Sequence, residues 1–174
     1  MRWHDFEAAA DPIAAPIRER FLGPGVVLVG TIRRDGSPRI SPVEPFFWDG
    51  DLWLSMMWQS RKAQDIARDP RVLVHSVVST AKEPNGEAKV RGRAVAVDDP
   101  ERRRGYAEVV AKELGWSPDP QRCHYLVLDV EEAVWIRYEN HGDQRVLRWP
   151  NGIEYVRGAT SDTSVGEALV VRTF

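Results

Sequence analysis

Strand-length apolar runs, each closed by a tight-turn dipeptide, constrain this chain more than any other feature of its sequence. Residues 26–32 are nearly all apolar, and Asp35-Gly36 follows them. A run of that length reads as a strand, and the lack of alternation predicts burial on both faces. Asp-Gly supplies the backbone freedom that a hairpin turn needs. Residues 39–47 are strand-like but carry Pro42 and Pro45. Proline cannot donate to a ladder, so this strand belongs at a sheet edge or is bulged. Asp49-Gly50 turns the chain into a strand over 51–57. Further strands are expected over 72–78, 88–97, 125–130 and 133–139. Turns are expected at Glu83-Pro84-Asn85-Gly86, at His141-Gly142-Asp143 and at Asn151-Gly152. Gly92, inside a strand, predicts a bulge or the close approach of another backbone.

Helical periodicity is confined to three places. Phe6, Ile13, Ile17 and Phe21 share one face over residues 5–22, with Pro12 and Pro16 dividing that stretch. A short helix over 62–68 ends against Asp69-Pro70. Asp99 caps, and Pro100 opens, a longer helix that runs to about Leu114. These elements predict a mainly β, α+β fold: a barrel of about six to seven antiparallel strands with peripheral helices. With 174 residues, one domain is expected, since domains run to roughly 100–200 residues. Its expected extent is 1–156. Residues 157–174 form a polar tail with an apolar patch at Leu169-Val170-Val171, expected to be flexible or docked on a partner subunit.

Composition removes several function classes. A net charge of −2 with scattered basic residues gives no electrostatic footprint for nucleic acid. No apolar stretch approaches the ~20 residues of a membrane span, and residues 1–5 hold no apolar signal core. A cytoplasmic location and no membrane partner are the expectations. The single cysteine, Cys123, cannot form an internal disulfide or a cysteine zinc site. His4, His75, His124 and His141 lack the spacing of a helical zinc site, so no metal is expected. Neither a G-x-S-x-G elbow nor a G-x-G-x-x-G turn is present.

Chemistry concentrates at Ser60-Arg61-Lys62, between the 51–57 strand and the short helix. A helix start carries unpaired N–H groups and the positive end of a dipole. Ser60 is a good N-cap residue, Arg61 adds a fork of donors and Lys62 a point charge. A phosphate would satisfy all of them. Taken alone, the triplet reads first as a capped helix with two solvated cations.

The surroundings add to that reading. Asp35-Gly36-Ser37-Pro38-Arg39, Ile40-Ser41-Pro42, Trp48-Asp49-Gly50 with Leu52-Trp53 and Ser55, the Ser60 triplet, Arg68-Asp69-Pro70-Arg71-Val72 and Val90-Arg91-Gly92-Arg93-Ala94 follow one another in order. In that order and spacing the chain resembles the flavin-binding split-barrel family related to pyridoxamine 5'-phosphate oxidase, over about residues 22–138. The resemblance implies a split β-barrel that transfers a hydride to or from a small-molecule substrate. It also implies a homodimer with the flavin in a cleft between two barrels. Carried onto this sequence, the cofactor-binding residues would be Arg39, Ser41, Ser55, Met56, Ser60, Arg61 and Lys62. A catalytic side chain is not identifiable, and a flavin carries its own redox chemistry. FMN, with one phosphate, matches a compact Ser-Arg-Lys site. The alternative is a deazaflavin coenzyme, whose longer anionic tail needs further cations, with Arg68, Arg71, Lys82 and Lys89 as candidates. A non-enzymatic flavin or haem carrier or sensor on the same barrel is the reading from another class. The basic C-terminal motif of pyridoxamine phosphate oxidase itself is not evident in this chain.

Overall fold

A computed structural model describes residues 1–78, 86–119, 121–139, 142–161 and 163–174. The expected turn at Glu83-Pro84-Asn85, Lys82, Pro120 and His141 lie outside the described residues. The chain begins with α1 (Trp3–Ala9) and α2 (Ala14–Leu22). The break between them falls at Pro12, while Pro16 sits in the first turn of α2, where a missing N–H costs nothing. Then come β1 (Val27–Ile32), β2 (Pro38–Val43), β3 (Phe46–Trp48), β4 (Asp51–Trp53), β5 (Met56–Met57), α3 (Arg61–Arg68), β6 (Arg71–Ser76) and β7 (Glu87–Ala96). After α4 (Pro100–Leu114) the chain forms β8 (Cys123–His124), β9 (Leu126–Tyr138), β10 (Gln144–Trp149) and β11 (Ile153–Arg157). It closes with β12 (Ala159–Ser161), β13 (Ser164–Val165) and β14 (Leu169–Thr173).

Ten of these strands form one antiparallel sheet in the order β14-β11-β10-β9-β7-β6-β1-β2, with β4 and β3 attached through β9. It is an open, mainly β barrel with four helices among the described residues, the expected α+β split barrel. The split is made at β9. One edge of β9 pairs with β7 along most of its length, from Leu126 to Ile136. Its other edge pairs with β4 at Val127 and with β10 from Ala133 to Tyr138. Strands over 125–130 and 133–139 were expected separately, yet they are one strand. The polar pair Glu131-Glu132 is a bulge, not a boundary, because Arg91 faces Glu132 while its neighbour Gly92 faces Val130. Six strands have only two or three residues, too short for any periodicity to show, which takes the tally past the expected six to seven.

β1 corrects another expectation. Its residues alternate, with Val27, Val29 and Thr31 buried and Leu28, Gly30 and Ile32 half-buried. The continuous apolar run therefore does not mean burial on both faces. One face meets the core, and the other is an apolar outer face. Trp3, Phe6, Ile17, Phe21, Val74 and Leu128 lie in the main core, so α1 and α2 plug the barrel. The strand expected over 39–47 is divided at Glu44-Pro45 into β2 and β3, and that over 51–57 into β4 and β5; β2 is one edge of the sheet, as Pro42 requires. The tail forms β14, which pairs with β11, and Phe174 N–H donates to the Gly152 carbonyl. Every side chain of β14 is exposed. Among the described residues no helix is long and apolar enough to cross a membrane.

Gly92 carries the clearest local requirement. A Cβ there would run into the Asp129 carbonyl on β9. The substitution Gly92→Ala must push apart the two most extensively paired strands. The expected loss is roughly 1–3 kcal/mol, as for other overpacked sites, read from urea unfolding midpoints.

Candidate functional site

Two hollows flank the first turn of α3, and they differ in character. One is a cavity of about 580 Å³ lined mostly by apolar groups, including Met56, Phe46 and Val43. The other is a groove of about 640 Å³ lined by Arg33, Arg34, Arg39, Arg61 and Arg68 together with Asp35, Gln64 and Asp65. Lys62 lines the first and Arg61 the second.

A buried carboxylate positions this helix. Thr31 and Arg39 are cross-strand neighbours on the inner face of β1 and β2, and α3 packs over them. Asp65, buried on α3, accepts from Thr31 Oγ1 at 3.1 Å, Arg39 Nε at 2.6 Å and Arg68 Nη2 at 3.3 Å. Arg68 also donates to the Ile32 carbonyl at 2.5 Å. Burial by itself raises the Asp65 pKa, but the bonds from Arg39, Thr31 and Arg68 outweigh it and hold the carboxyl below its ordinary value. Lys62 completes the clamp by donating from Nζ to the Pro42 carbonyl at 3.1 Å. Pro42 lies on the edge strand, where that carbonyl is available.

The sequence-derived site residues divide as follows. Ser55, Met56 and Lys62 line the apolar cavity, and Arg39 and Arg61 line the basic groove. Ser41 is half-buried on β2 opposite Val29 and lines neither hollow. Ser60 holds the N-cap position of α3, but its hydroxyl makes no cap hydrogen bond. The hydroxyl oxygens of Ser55 and Ser60 are both buried without a hydrogen-bond partner. Buried polar atoms are normally satisfied, so both hydroxyls are candidate donors to a ligand, Ser60 at the helix start and Ser55 near the Tyr106 phenol. Arg61 is exposed, with only a long contact to Gln64 at 3.5 Å. Arg39 is engaged through Nε, which leaves its other N–H groups.

Sequence reasoning missed Asp65 and Thr31, and it missed the far wall of the cavity. That wall is α4. Tyr106 stacks on Trp53 with ring centroids 4.3 Å apart and planes 14° apart, and Phe46 and Tyr125 meet it edge-on. Arg102 pairs with Asp49 at 2.8 Å and with the buried Asp51. These contacts seat α4 so that Tyr106, Val110 and Leu114 line the cavity. Their four-residue spacing is the helical signal that marks such a face. Burial pushes the Tyr106 phenol up to about 12, the nearby Ser55 hydroxyl pulling it back slightly. Burial also raises the Cys123 thiol pKa. His124 stacks on Trp58 at 4.8 Å, and its Nε2 accepts from the Gln59 N–H at 3.3 Å. His75 Nδ1 lies 2.6 Å from the Ser76 carbonyl.

The sequence model of the family described as pyridoxamine 5'-phosphate oxidase matches residues 13–135, well over half of the chain. The chain belongs to that family. Solved structures of similar fold include a pyridoxamine 5'-phosphate oxidase-like protein from Listeria innocua, at 14% identity and a TM-score of 0.57 over 68% of this chain and 94% of that one. A nimC/nimA family protein from Clostridium acetobutylicum matches at 17% identity and TM-score 0.63, over 83% of this chain and 98% of that one. A protein named F420 reductase matches at 21% identity and TM-score 0.51, over 66% and 94%. At these identities the likeness is one of fold. No curated protein sequence matches significantly. Among the described residues, no group of three or more His, Cys, Asp or Glu side chains could hold a metal ion.

The Asp65 clamp makes a pH prediction. Its folded pKa is depressed, so its contribution is present above the unfolded carboxylate value of about 3.9. It is lost as pH falls through the folded value. Asp65→Ala should cost roughly 2–4 kcal/mol, because it strands Thr31 and two arginines around a buried position. In urea unfolding the gap between wild type and variant should close on acidification below about pH 4.

Proposed function

We propose that this chain is an oxidoreductase that binds FMN at the start of α3 and moves a hydride to or from a small organic molecule. The observation that carries the reading is an apolar cavity lined by Ser55 and Lys62, with the buried, unpartnered Ser60 hydroxyl at the N-cap of α3 next to Lys62 in the chain. An apolar cavity with a few convergent polar groups is the usual form of a small-molecule site. The residues fit the cofactor's two ends. Ser60, Arg61 and Lys62 would hold a phosphate with charge-assisted bonds. Ser55 would bond the polar edge of a flavin, and Met56 would pack against its apolar surface. Arg39 would add its remaining N–H groups, and Ser41 would contribute at the β2 edge. The bound flavin supplies the redox chemistry; the chain binds, orients and excludes water.

A second reading has one feature in its favour. The groove beside Arg61 carries five arginines, and of its two carboxylates Asp65 is already paired with Arg39 and Arg68. A cofactor with a longer anionic tail would use that surplus, as a deazaflavin such as F420 does, and one fold neighbour is named for it. Titrating each cofactor into the apo-protein separates the two. FMN is expected to bind more tightly. Deazaflavin binding at least tenfold tighter, a difference of ~1.4 kcal/mol, would reverse the assignment. Reoxidation of the loaded protein after reduction by a nicotinamide distinguishes an enzyme from a carrier, and a Soret band on haem addition would point to the carrier.

The proposal includes a cytoplasmic homodimer. The outer faces of β2, β1 and β6 place Ile40, Gly30 and Leu73 in one cross-strand row. Ile40 is 71% exposed and Leu73 43% exposed, and Gly30 leaves a flat surface between them. Obligate dimers bury more than ~2,000 Å² with an apolar centre, and this row supplies one.

Two tests follow from the geometry. Replacing Arg61 and Lys62 together by alanine should weaken FMN binding at least tenfold with the fold intact, since each charge-assisted bond is worth ~1.5–3 kcal/mol. Unchanged affinity by calorimetry would remove the phosphate assignment. Ile40→Asp with Leu73→Asp should yield a monomer by sedimentation at micromolar concentration. A wild-type monomer under those conditions would contradict the dimer.

A further inference from the structure

The cavity has a wall that the phosphate and ring contacts do not use. Tyr106, Val110 and Leu114 line it from α4, and Trp116 continues it beyond the left-handed Gly115 that ends the helix. Among the described residues, the charged groups around this cavity are Glu44, Asp119, Lys62 and Arg122, two of each sign. Lys62 already donates to Pro42, and Glu44, Asp119 and Arg122 stand exposed in solvent. The remaining polar groups of the lining that are not exposed are the Ser55 hydroxyl, the Tyr106 phenol and the Cys123 thiol. All three are neutral at pH 7, and Tyr106 and Cys123 are kept so by burial. With Lys62 assigned to the cofactor phosphate, an ionic molecule entering there would give up hydration with no buried counter-charge left for it. A flat apolar one would bury its faces against Val110, Leu114 and Trp116, and the Tyr106 phenol would meet a single acceptor at its edge.

We propose that the α4 wall binds the substrate of the reaction, and that this substrate is a flat, uncharged aromatic molecule with an acceptor such as a carbonyl on its rim, not a phosphorylated amine. The word substrate rests on the function proposed above; the selectivity of the cavity does not. The cofactor phosphate would use Lys62 at the α3 edge of this cavity; among the described residues the α4 side adds one cation, Arg122, exposed and accompanied by Asp119. Leu114 and Trp116 are about half exposed in the described chain, so the wall can be altered at its rim without opening the core.

The test uses the full-length apo-protein and three probes: coumarin, coumarin-3-carboxylate and pyridoxal 5'-phosphate. The first two share one ring system and differ by a charge. Calorimetric titration should show coumarin binding at least tenfold tighter than the carboxylate, with pyridoxal 5'-phosphate weaker still. Leu114→Arg and Trp116→Ala, tested separately, should each weaken coumarin at least fivefold while FMN titration and Tm stay as in the wild type. Tyr106→Phe, which keeps the aromatic stack, is a milder variant that should weaken coumarin and leave FMN affinity unchanged. Carboxylate or pyridoxal phosphate binding as tight as coumarin would overturn the proposal. So would coumarin affinity indifferent to Leu114→Arg. Coumarin binding with no flavin or deazaflavin binding would uphold the cavity and remove the cofactor reading; cofactor binding with no coumarin binding would do the reverse.

Discussion

One carboxylate ties the candidate site to the barrel. Asp65 is nearly out of water and is held by Thr31, Arg39 and Arg68. Removing a charge from water is expensive and is repaid only by good geometry with several donors. Three donors from β1, β2 and α3 itself meet that condition, so α3 has one docked position. Its first turn is fixed as a consequence, and with it the reach of Lys62 to Pro42 and the opening of Arg61 onto the groove. The clamp also sets the local electrostatics. It spends one of the groove's two carboxylates on Arg39 and Arg68, and the surplus of cations around Arg61 is what remains.

The strand plan was legible because each barrel strand carries its own signal. The prolines of β2 announced an edge, Gly92 announced a close backbone approach, and Asp99-Pro100 announced the start of α4. The structure honours each of these. What was not legible depended on pairing partners far away in the chain. Glu131-Glu132 looks like a turn until the opposite strand shows that the extra residue is absorbed in a bulge. The apolar run of β1 looks doubly buried until its outer face is seen to be half exposed. A single sequence records side-chain types, not which face of a sheet another surface covers.

The site divided in the same way. The Ser60 triplet and the segment containing Ser55 and Met56 could be singled out because they are contiguous in sequence and their resemblance to a family is local. Asp65 was passed over because a mid-helix aspartate flanked by polar residues has no mark of burial. Its role appears only when Thr31, from 34 positions earlier, is placed beside it. Tyr106, Val110 and Leu114 read as an ordinary apolar helix face. That they wall a cavity follows from the aromatic stack with Trp53 and from the pairing of Arg102 with Asp49 and Asp51. Each of those contacts joins residues roughly 50 positions apart, beyond any local pattern.

The two hollows share one helix turn and have opposite chemistry, and this constrains what the chain can bind. A small inorganic anion would find the groove sufficient and leave the apolar cavity unused. A purely apolar molecule would leave the arginines and the Ser60 hydroxyl unsatisfied. A molecule with an anionic end and a flat apolar end uses both, with the N-terminal turn of α3 at the junction between them. Lys62 and Arg61 are neighbours in sequence but face different hollows, and that is possible because adjacent helical residues point about 100° apart. The Asp65 clamp holds this division in place: any rotation of α3 that moved Arg61 toward the cavity would pull the carboxylate away from Thr31 and Arg39. The polarity of the candidate site is therefore a consequence of the same buried ion cluster that docks the helix.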